Sequence, residues 1–349
     1  MSASGTARAG FLAQVEACRL LGSPFTARVC ALLGERLRPE TEFGRRILGW
    51  SGHPGLDALP LRATGGLNAL ARSGRSPALA AVYPPHEATD EALWAAIETA
   101  MTEHDPFLAA YLDSPPQTNE VTRSSAVLGG CLHITAATGL PLDLHEIGAS
   151  AGLNLNFDQY AYDLGDARWG ASGADVRVVS RWDGAMPPLD APLSIRSRRA
   201  CDVNPIDARR DEDRARLLSY VWPDQVDRLG RIEAALGFAA RAGTVVEKAD
   251  AADWVEANFG AAGTPGGVKV LFHTIVWQYL PPEVKARIAA AMQAAGMAAT
   301  ADAPVAWLRV EADDVQGSAG IRLTLWPSGE ERLLGRADFH GRRIIWNEG

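Results

Sequence analysis

The feature that most constrains the fold is a glycine-containing turn at residues 146–152, with the sequence Glu-Ile-Gly-Ala-Ser-Ala-Gly. It ends the alternating segment 142–147, which reads as a strand, and it leads into a run that we expect to begin a helix near Ser150. Glycines at a sharp turn from strand to helix let the backbone approach a ligand closely. The first N–H groups of that helix would point at the same ligand. The sequence therefore predicts a ligand-binding loop at the carboxyl end of a strand.

Three apolar runs follow downstream, and helical patterns separate them. These runs lie at residues 244–246, 268–272 and 305–310. Each reads as a buried parallel strand, and strands that alternate with helices imply right-handed crossovers in a mostly parallel sheet. The end of the chain differs, because residues 321–326, 332–334 and 343–346 read as antiparallel hairpin strands. We therefore expect an α/β fold whose parallel sheet is finished by an antiparallel hairpin.

The first third of the chain is predicted to be helical. Apolar residues recur at helical spacing after Ser23 and again after Thr89, and both residues are typical of helix N-termini. A further helix is expected over residues 118–138, just before the first strand. The sequence thus predicts two parts, a helical N-terminal region over residues 1–115 and an α/β domain over residues 116–349.

Charge, hydropathy and cysteine spacing exclude several classes of function. The 349 residues carry a formal net charge of −8, and acids interleave with the densest basic stretch at 196–216, so no nucleic-acid partner is expected. The longest strongly apolar run, 268–277, is too short to cross a bilayer, which predicts no membrane partner. No secretory signal is readable, which favours a cytoplasmic location. None of the cysteines forms a C-x-x-C pair, so no metal site is expected.

Several longer motifs resemble those of a bacterial family that is described only as a domain of unknown function. The motifs lie at residues 118–123, 144–154, 201–207, 220–225, 272–281 and 325–330. The resemblance covers nearly the whole chain, and it brings no established activity with it.

The loop and the strand pattern also resemble class I S-adenosylmethionine-dependent methyltransferases, which have a Rossmann-like sheet of seven strands with a C-terminal antiparallel hairpin. The resemblance implies that the chain binds S-adenosylmethionine and transfers its methyl group to a small or medium-sized acceptor molecule. Gly148, Ser150 and Gly152 would then hold the methionine end of the cofactor, with Glu146 nearby.

The same resemblance assigns roles to acids at the ends of two later strands. Asp202 would bind the ribose hydroxyls and Asp250 would meet the adenine amino group. Asp202 could also cap a turn before Asn204, and Asp250 could also be a helix N-cap. About fifty residues separate Gly152 from Asp202, where such folds have about twenty. Residues 176–182 could therefore be the second strand instead, with Asp183 as the ribose acid.

The candidate catalytic residues are those expected to face the cleft beyond the carboxyl ends of the strands. His273 ends a strand and could act as a general base or orient a substrate, or could be a hydrogen-bonded structural residue. Trp277 could stack on the cofactor and Tyr279 on the substrate, and both could equally be core aromatics. Glu120 and Arg123 share a face of the helix before the first strand, where they would meet the cleft or form a surface ion pair.

Two alternatives remain open from the sequence. Residues 148–152 also match the Gly-x-Ser-x-Gly turn that carries the nucleophile of α/β-hydrolases, so Ser150 could be an activated serine. Its partners would be Asp250 and either His273 or His340. Such a turn normally follows several strands, whereas the residues before 142 are predicted to be helical. The chain could also be a non-catalytic protein that binds a nucleotide or another cofactor.

Overall fold

The computed structural model describes residues 3–260 and 263–347, with side chains from residue 6 onward. The α-helices are α1 (Ala3–Leu20), α2 (Pro24–Arg36), α3 (Glu42–Leu48), α4 (Leu59–Arg72), α5 (Pro77–Ala80), α6 (Asp90–Glu103), α7 (Asp105–Tyr111), α8 (Ser124–Thr138), α9 (Asp211–Ser219), α10 (Val226–Ala242), α11 (Ala251–Phe259) and α12 (Pro282–Met297). The strands are β1 (Leu142–Ile147), β2 (Ala161–Asp163), β3 (Arg168–Trp169), β4 (Arg177–Val179), β5 (Arg181–Gly184), β6 (Ile195–Asp202), β7 (Glu247–Lys248), β8 (Val268–Thr274), β9 (Val305–Ala312), β10 (Ala319–Trp326), β11 (Glu330–Ala337) and β12 (Arg343–Trp346). Short 3-10 helices lie at Val121–Arg123, Asn154–Gln159 and Trp277–Tyr279.

The chain divides into two compact units. The first comprises Met1–Thr118 and Arg210–Glu233, and the second comprises Asn119–Arg209 and Ala234–Gly349. The sequence predicts a single boundary near residue 115, whereas in the structure the segment after Arg209 returns to the first unit.

The first unit is helical, as the apolar spacing predicts. Phe11, Leu33 and Phe43 belong to its core. Thr89 caps α6, because its side chain accepts a hydrogen bond from the N–H of Ala92 at 3.2 Å. No helix within the described residues has both the length and the apolar character needed to span a membrane.

Within the described residues, nine strands of the second unit form one sheet, in the order β5-β12-β11-β10-β9-β8-β1-β6-β7. The central strand β1 pairs in parallel with β6 on one side and β8 on the other, and β7 and β9 extend the parallel part. β10, β11 and β12 then form an antiparallel meander, and β5 pairs with β12 at the edge. A mostly parallel sheet with antiparallel C-terminal strands to one side is therefore confirmed. The sheet exceeds the predicted seven strands because β12 and β5 extend it past the β10–β11 hairpin.

Helices cover both faces of this sheet. Trp307 and Leu308 are neighbours on β9, so their side chains point to opposite faces. Trp307 packs in one core with residues of α11 and α12, including Phe259 and Ile288. On the other face α8 lies so close to the sheet that a Cβ at Gly130 would meet the Leu308 side chain at 2.5 Å.

The connection from β1 to β6 departs from the prediction. The glycine turn leads into the 3-10 helix Asn154–Gln159 rather than an α-helix, and Asn156 has non-helical dihedrals within it. The Asn156 amide donates hydrogen bonds to the carbonyl of Gly152 at 3.2 Å and to Thr244 Oγ1 at 3.0 Å. Side-chain amides that bond nearby backbone compete with helical hydrogen bonds. The predicted α-helix near Ser150 is therefore wrong, and its dipole is not available to a ligand.

Part of the long segment between Gly152 and Asp202 forms a second, smaller sheet with the strand order β3-β2-β4. Residues 176–182 contribute to β4 in this small sheet and to β5 at the far edge of the large one. The alternative in which they form the second parallel strand is therefore wrong, because β6 occupies that place beside β1. The run at 244–246 precedes β7 rather than forming it.

Candidate functional site

The glycine turn after β1 has an unusual backbone conformation. Gly148, Ser150 and Gly152 all have positive φ, at 64°, 54° and 66°. Packing adds a second requirement for glycine, because a Cβ at Gly148 would collide with the Val276 side chain and one at Gly152 would lie 2.9 Å from Thr244 Cγ2. Ser150 is not a glycine, so its left-handed conformation costs about 1–2 kcal/mol. Such strain persists only where the surrounding structure holds it in place.

Two polar side chains hold the turn in this conformation. Asp202, at the end of β6, accepts hydrogen bonds from the N–H of Ser150 at 2.8 Å and the N–H of Asn204 at 2.8 Å. Asn119, before α8, accepts one from the N–H of Leu153 at 3.0 Å. Each carboxylate oxygen can accept a second hydrogen bond, so Asp202 retains capacity for a ligand hydroxyl. The other proposed ribose acid, Asp183, lies on the edge strand β5, where it pairs with Arg343.

The turn and the first residue of the following 3-10 helix contain buried polar atoms that lack hydrogen-bond partners within the described residues. Within the described part of the chain, no hydrogen bond reaches Glu146 Oε2, Ser150 Oγ or either amide atom of Asn154. The three residues are at most 3% exposed. Leaving a buried polar group unsatisfied costs about 1–3 kcal/mol, and native structures usually satisfy such groups with a protein atom, an ordered water or a ligand. This concentration of unsatisfied atoms makes the turn the candidate binding site.

The electrostatics of the turn are set mainly by Glu146. Burial raises the pKa of its carboxyl well above the ordinary value, and the nearby Asp202 carboxylate raises it further. The neutral acid therefore persists to a higher pH than for an exposed glutamate. A ligand cation placed beside Glu146 would favour the carboxylate instead, so its binding would release a proton.

A second loop, after β8, faces the same edge of the sheet and is held by a buried histidine. His273 Nδ1 lies 2.6 Å from Glu311 Oε1, and Trp307 Nε1 donates to His273 Nε2 at 3.1 Å. Glu311 also accepts hydrogen bonds from the N–H groups of Val276 and Trp277, at 3.1 and 3.2 Å. Because both ring nitrogens are engaged, the geometry favours a role for His273 in positioning this loop over one as a general base.

The two aromatic candidates differ in exposure. Trp277 is half-buried and stacks on His273, with ring centroids 5.2 Å apart and planes at 14°. Tyr279 is 72% exposed in the 3-10 helix Trp277–Tyr279, where a bound molecule could contact it.

Glu120 and Arg123 lie before α8 rather than on it, because that helix begins at Ser124. The prediction of a continuous helix from residue 118 is therefore wrong. Glu120 is 1% exposed and accepts a hydrogen bond from the N–H of Thr122 at 3.1 Å, which caps the turn Val121–Arg123. Arg123 donates to the carbonyl of Phe339 at 2.8 Å. Both side chains therefore form hydrogen bonds with backbone groups of the second unit.

Asp250 caps α11, as the alternative interpretation of this residue predicts. Its Oδ1 accepts hydrogen bonds from the N–H groups of Ala252 and Asp253, at 2.8 and 3.2 Å. Asp250 is exposed, so the second oxygen can still meet a ligand. A search of the described residues finds no group of three or more His, Cys, Asp or Glu side chains arranged to hold a metal ion.

The serine-hydrolase alternative gains no support from this geometry. Ser150 Oγ has no hydrogen-bond partner within the described residues, whereas an activated serine bonds to its base. His273 is engaged by Glu311 and Trp307, and Asp250 is engaged by its own helix. His340 lies in the loop between β11 and β12.

We expect that fluorophosphonate probes will not label Ser150, since no base within the described part of the chain is hydrogen-bonded to its hydroxyl. Ser150→Ala should change the free energy of unfolding by less than about 1.5 kcal/mol, because within the described residues the hydroxyl makes no hydrogen bond for the variant to lose. Labelling followed by peptide mapping, with urea unfolding of both proteins, tests this. An esterase activity that disappears completely in Ser150→Ala would instead establish the serine as a nucleophile.

Two residues of this region are not among those predicted from the sequence. Asn154 carries the unsatisfied amide, and Glu311 holds the second loop. Glu311 follows an apolar strand segment, which is the same signal that singled out Asp202. Asn154 has no comparable signal, because a polar residue after a glycine turn is normally exposed.

Comparison with known proteins places the chain in a family without giving it an activity. The model of the family "Uncharacterized protein conserved in bacteria (DUF2332)" matches residues 8–346. Comparisons with curated proteins and with solved structures find no match. Because the family model covers nearly the whole chain, the protein belongs to this uncharacterized family conserved in bacteria.

Proposed function

We propose that the chain binds S-adenosylmethionine at the turn of residues 146–152 and transfers its methyl group to a small or medium-sized acceptor. The observation that carries the proposal is the set of unsatisfied buried atoms on Glu146, Ser150 and Asn154, within the described residues. Glu146 lies at the end of β1, Ser150 in the turn that follows, and Asn154 at the start of the next 3-10 helix. A ligand with both donors and acceptors, such as an amino acid group, would satisfy atoms of this kind.

The strand order supports a Rossmann-like interpretation of the sheet. The parallel strands β7-β6-β1-β8-β9 stand in the order three-two-one-four-five along the chain, which is the order of doubly wound dinucleotide-binding sheets. In such sheets the ligand binds beyond the carboxyl ends of the strands, where the strand order reverses. That point lies between β1 and β8, whose following loops contain Ser150 and Trp277.

Three acids suit the three parts of the cofactor. Glu146, Asp202 and Asp250 lie at or just beyond the carboxyl ends of the adjacent strands β1, β6 and β7. Glu146 would accept hydrogen bonds from an ammonium group, Asp202 from ribose hydroxyls and Asp250 from the adenine amine. Asp202 and Asp250 already accept backbone N–H groups, which fixes their orientation before a ligand arrives. The 3-10 helix Asn154–Gln159 departs from the resemblance, so side chains rather than a helix dipole would supply the contacts.

The proposed chemistry depends on positioning more than on proton transfer. When bound, the cofactor supplies an electrophilic methyl group on a sulfonium. The chain holds the acceptor in line with that group and excludes water, and a base is needed only if the acceptor must lose a proton. His273 would keep the loop of Trp277 in place through Glu311, and Tyr279 is the exposed aromatic side chain that we expect at the acceptor.

Calorimetric titration of the full chain with S-adenosylhomocysteine and S-adenosylmethionine tests the proposal. We expect binding by the wild type, weakened in Asp250→Ala by about tenfold or more and partly restored in Asp250→Asn, because the adenine amine is a neutral donor. Both variants should lose up to a few degrees in melting temperature from the altered cap, less in Asn than in Ala. A change in melting temperature with unaltered affinity would leave Asp250 as a cap only. Absence of wild-type binding at millimolar concentration would overturn the proposal.

A further inference from the structure

A separate groove lies on the side of the large sheet, between the 3-10 helix Asn154–Gln159 and the end of α10. Its volume is about 390 Å³, within the range of small-molecule sites. A doubly wound sheet normally carries a full α-helix after its first strand. The short 3-10 helix covers less of the sheet, which is why the middle of β6 can line a groove here.

The groove presents one charge. Among the described residues that line it, only Arg198, in the middle of β6, carries a charged side chain. Arg198 Nε donates to the carbonyl of Leu155 at 3.2 Å, and Nη2 donates to Asp158 Oδ2 at 2.5 Å. Within the described residues neither bond uses Nη1, so one edge of the guanidinium retains donors. Asp158 is the more buried partner, with a side chain 11% exposed against 28% for Arg198. Asp158 is not among the described residues that line the groove, so a ligand there meets the cation rather than the carboxylate.

The rest of the lining is apolar with a few polar groups. Leu155, Phe238 and Val245 supply aliphatic and aromatic surface, and Val245 is 58% exposed at the groove. Thr244 and Gln159 supply a hydroxyl and an amide. A ligand body that covers Val245 would remove apolar surface from water, which favours binding.

We propose that this groove binds a small carboxylate with an apolar or aromatic body. The carboxylate accepts hydrogen bonds from Arg198 Nη1, and the body packs between Phe238 and Val245. Guanidinium groups are suited to carboxylates because their planar donors match the two oxygens. This site is distinct from the turn of residues 146–152, and the inference does not rest on the proposed methyl transfer.

Fluorine NMR on the full chain tests the groove with 4-fluorophenylacetate as the probe and its uncharged amide as the comparison. We expect the acid to bind the wild type at millimolar concentration or better, and the amide at least fivefold more weakly. Arg198→Gln should weaken binding of the acid at least fivefold. The matched control is Arg199→Gln on the same strand, because Arg199 points to the opposite face, toward Glu247. That variant should bind like the wild type.

A second pair of variants keeps the test decisive if Arg198→Gln unfolds. Val245 is exposed, so Val245→Glu should fold and repel the acid, while Val245→Gln should bind within about twofold of the wild type. Three results would each overturn the proposal. The acid and the amide could bind with equal affinity, Arg198→Gln and Arg199→Gln could lose affinity for the acid equally, or the wild type could show no binding of the acid at about 10 mM.

Discussion

Glu146→Gln should lose S-adenosylhomocysteine affinity and gain thermal stability in the same protein. A carboxylate that accepts a charge-assisted hydrogen bond contributes about 1.5–3 kcal/mol to binding, so we expect affinity to fall roughly ten- to 150-fold. Stability should rise because the raised pKa of Glu146 reflects the cost of burying its charge. An acid whose pKa is raised in the folded state favours folding at low pH, and this contribution is lost as pH rises through the folded-state pKa. The glutamine side chain of the variant has no charge to bury, so the variant does not lose stability as pH rises in this way.

The measurement is a dissociation constant and a melting temperature on each variant, at neutral pH and above. Glu247→Gln is the matched control, since Glu247 is 41% exposed on β7 and bonds Arg199 outside the turn. It should bind like the wild type. Wild-type affinity should also increase with pH, because binding a cation at Glu146 releases its proton. A Glu146→Gln protein that melts earlier than the wild type and binds equally well would make Glu146 a structural residue.

A buried histidine on β1 should make the folded state sensitive to mild acid. His145 is 5% exposed, lies edge-on to Phe259 at 5.0 Å and meets the carbonyl of Asp143 at 3.1 Å. Burial is the main cause that lowers its pKa from 6.5 to about 4; the hydrogen bond and charge of Asp143 oppose this effect, and the charges of Lys269 and Arg199 add to it. The unfolded chain therefore binds the proton more readily. The stabilising contribution is complete above pH 6.5 and is lost as pH falls through about 4.

The fall of the pKa from 6.5 to about 4 corresponds to roughly 3 kcal/mol of unfolding free energy lost between these pH values. Urea unfolding of the wild type and His145→Gln, at a series of pH values across this window, isolates the contribution as the difference between the two curves. His86→Gln is the control, because His86 is exposed and its variant should follow the wild type. Parallel curves for the wild type and His145→Gln would show that the pKa of His145 is the same in the folded and unfolded chains, which would overturn the prediction.

The sequence by itself determines the features that depend on neighbouring residues. The apolar runs at β1, β8 and β9 are long and strongly patterned, so they predict buried strands without knowledge of which strands will pair. The caps are equally local, because Thr89 and Asp250 bond N–H groups two or three residues away. The turn of residues 146–152 is also readable, since glycine is needed where φ is positive.

Only the tertiary structure decides the features that depend on partners far along the chain. The turn is followed by a 3-10 helix in which the Asn156 amide bonds Thr244 across 88 residues, a contact that no local pattern predicts. The role of Asp202 depends on the N–H of Ser150, which folding brings to the end of the adjacent strand. His273 ends a strand in a way that suggests catalysis, yet Glu311 and Trp307 engage both ring nitrogens. Side-chain hydrogen bonds between strands that are adjacent only in space produce no pattern in the sequence. The sequence therefore does not distinguish an acid that binds a ligand from one that holds a loop in place. Nor does it distinguish a catalytic base from a structural histidine.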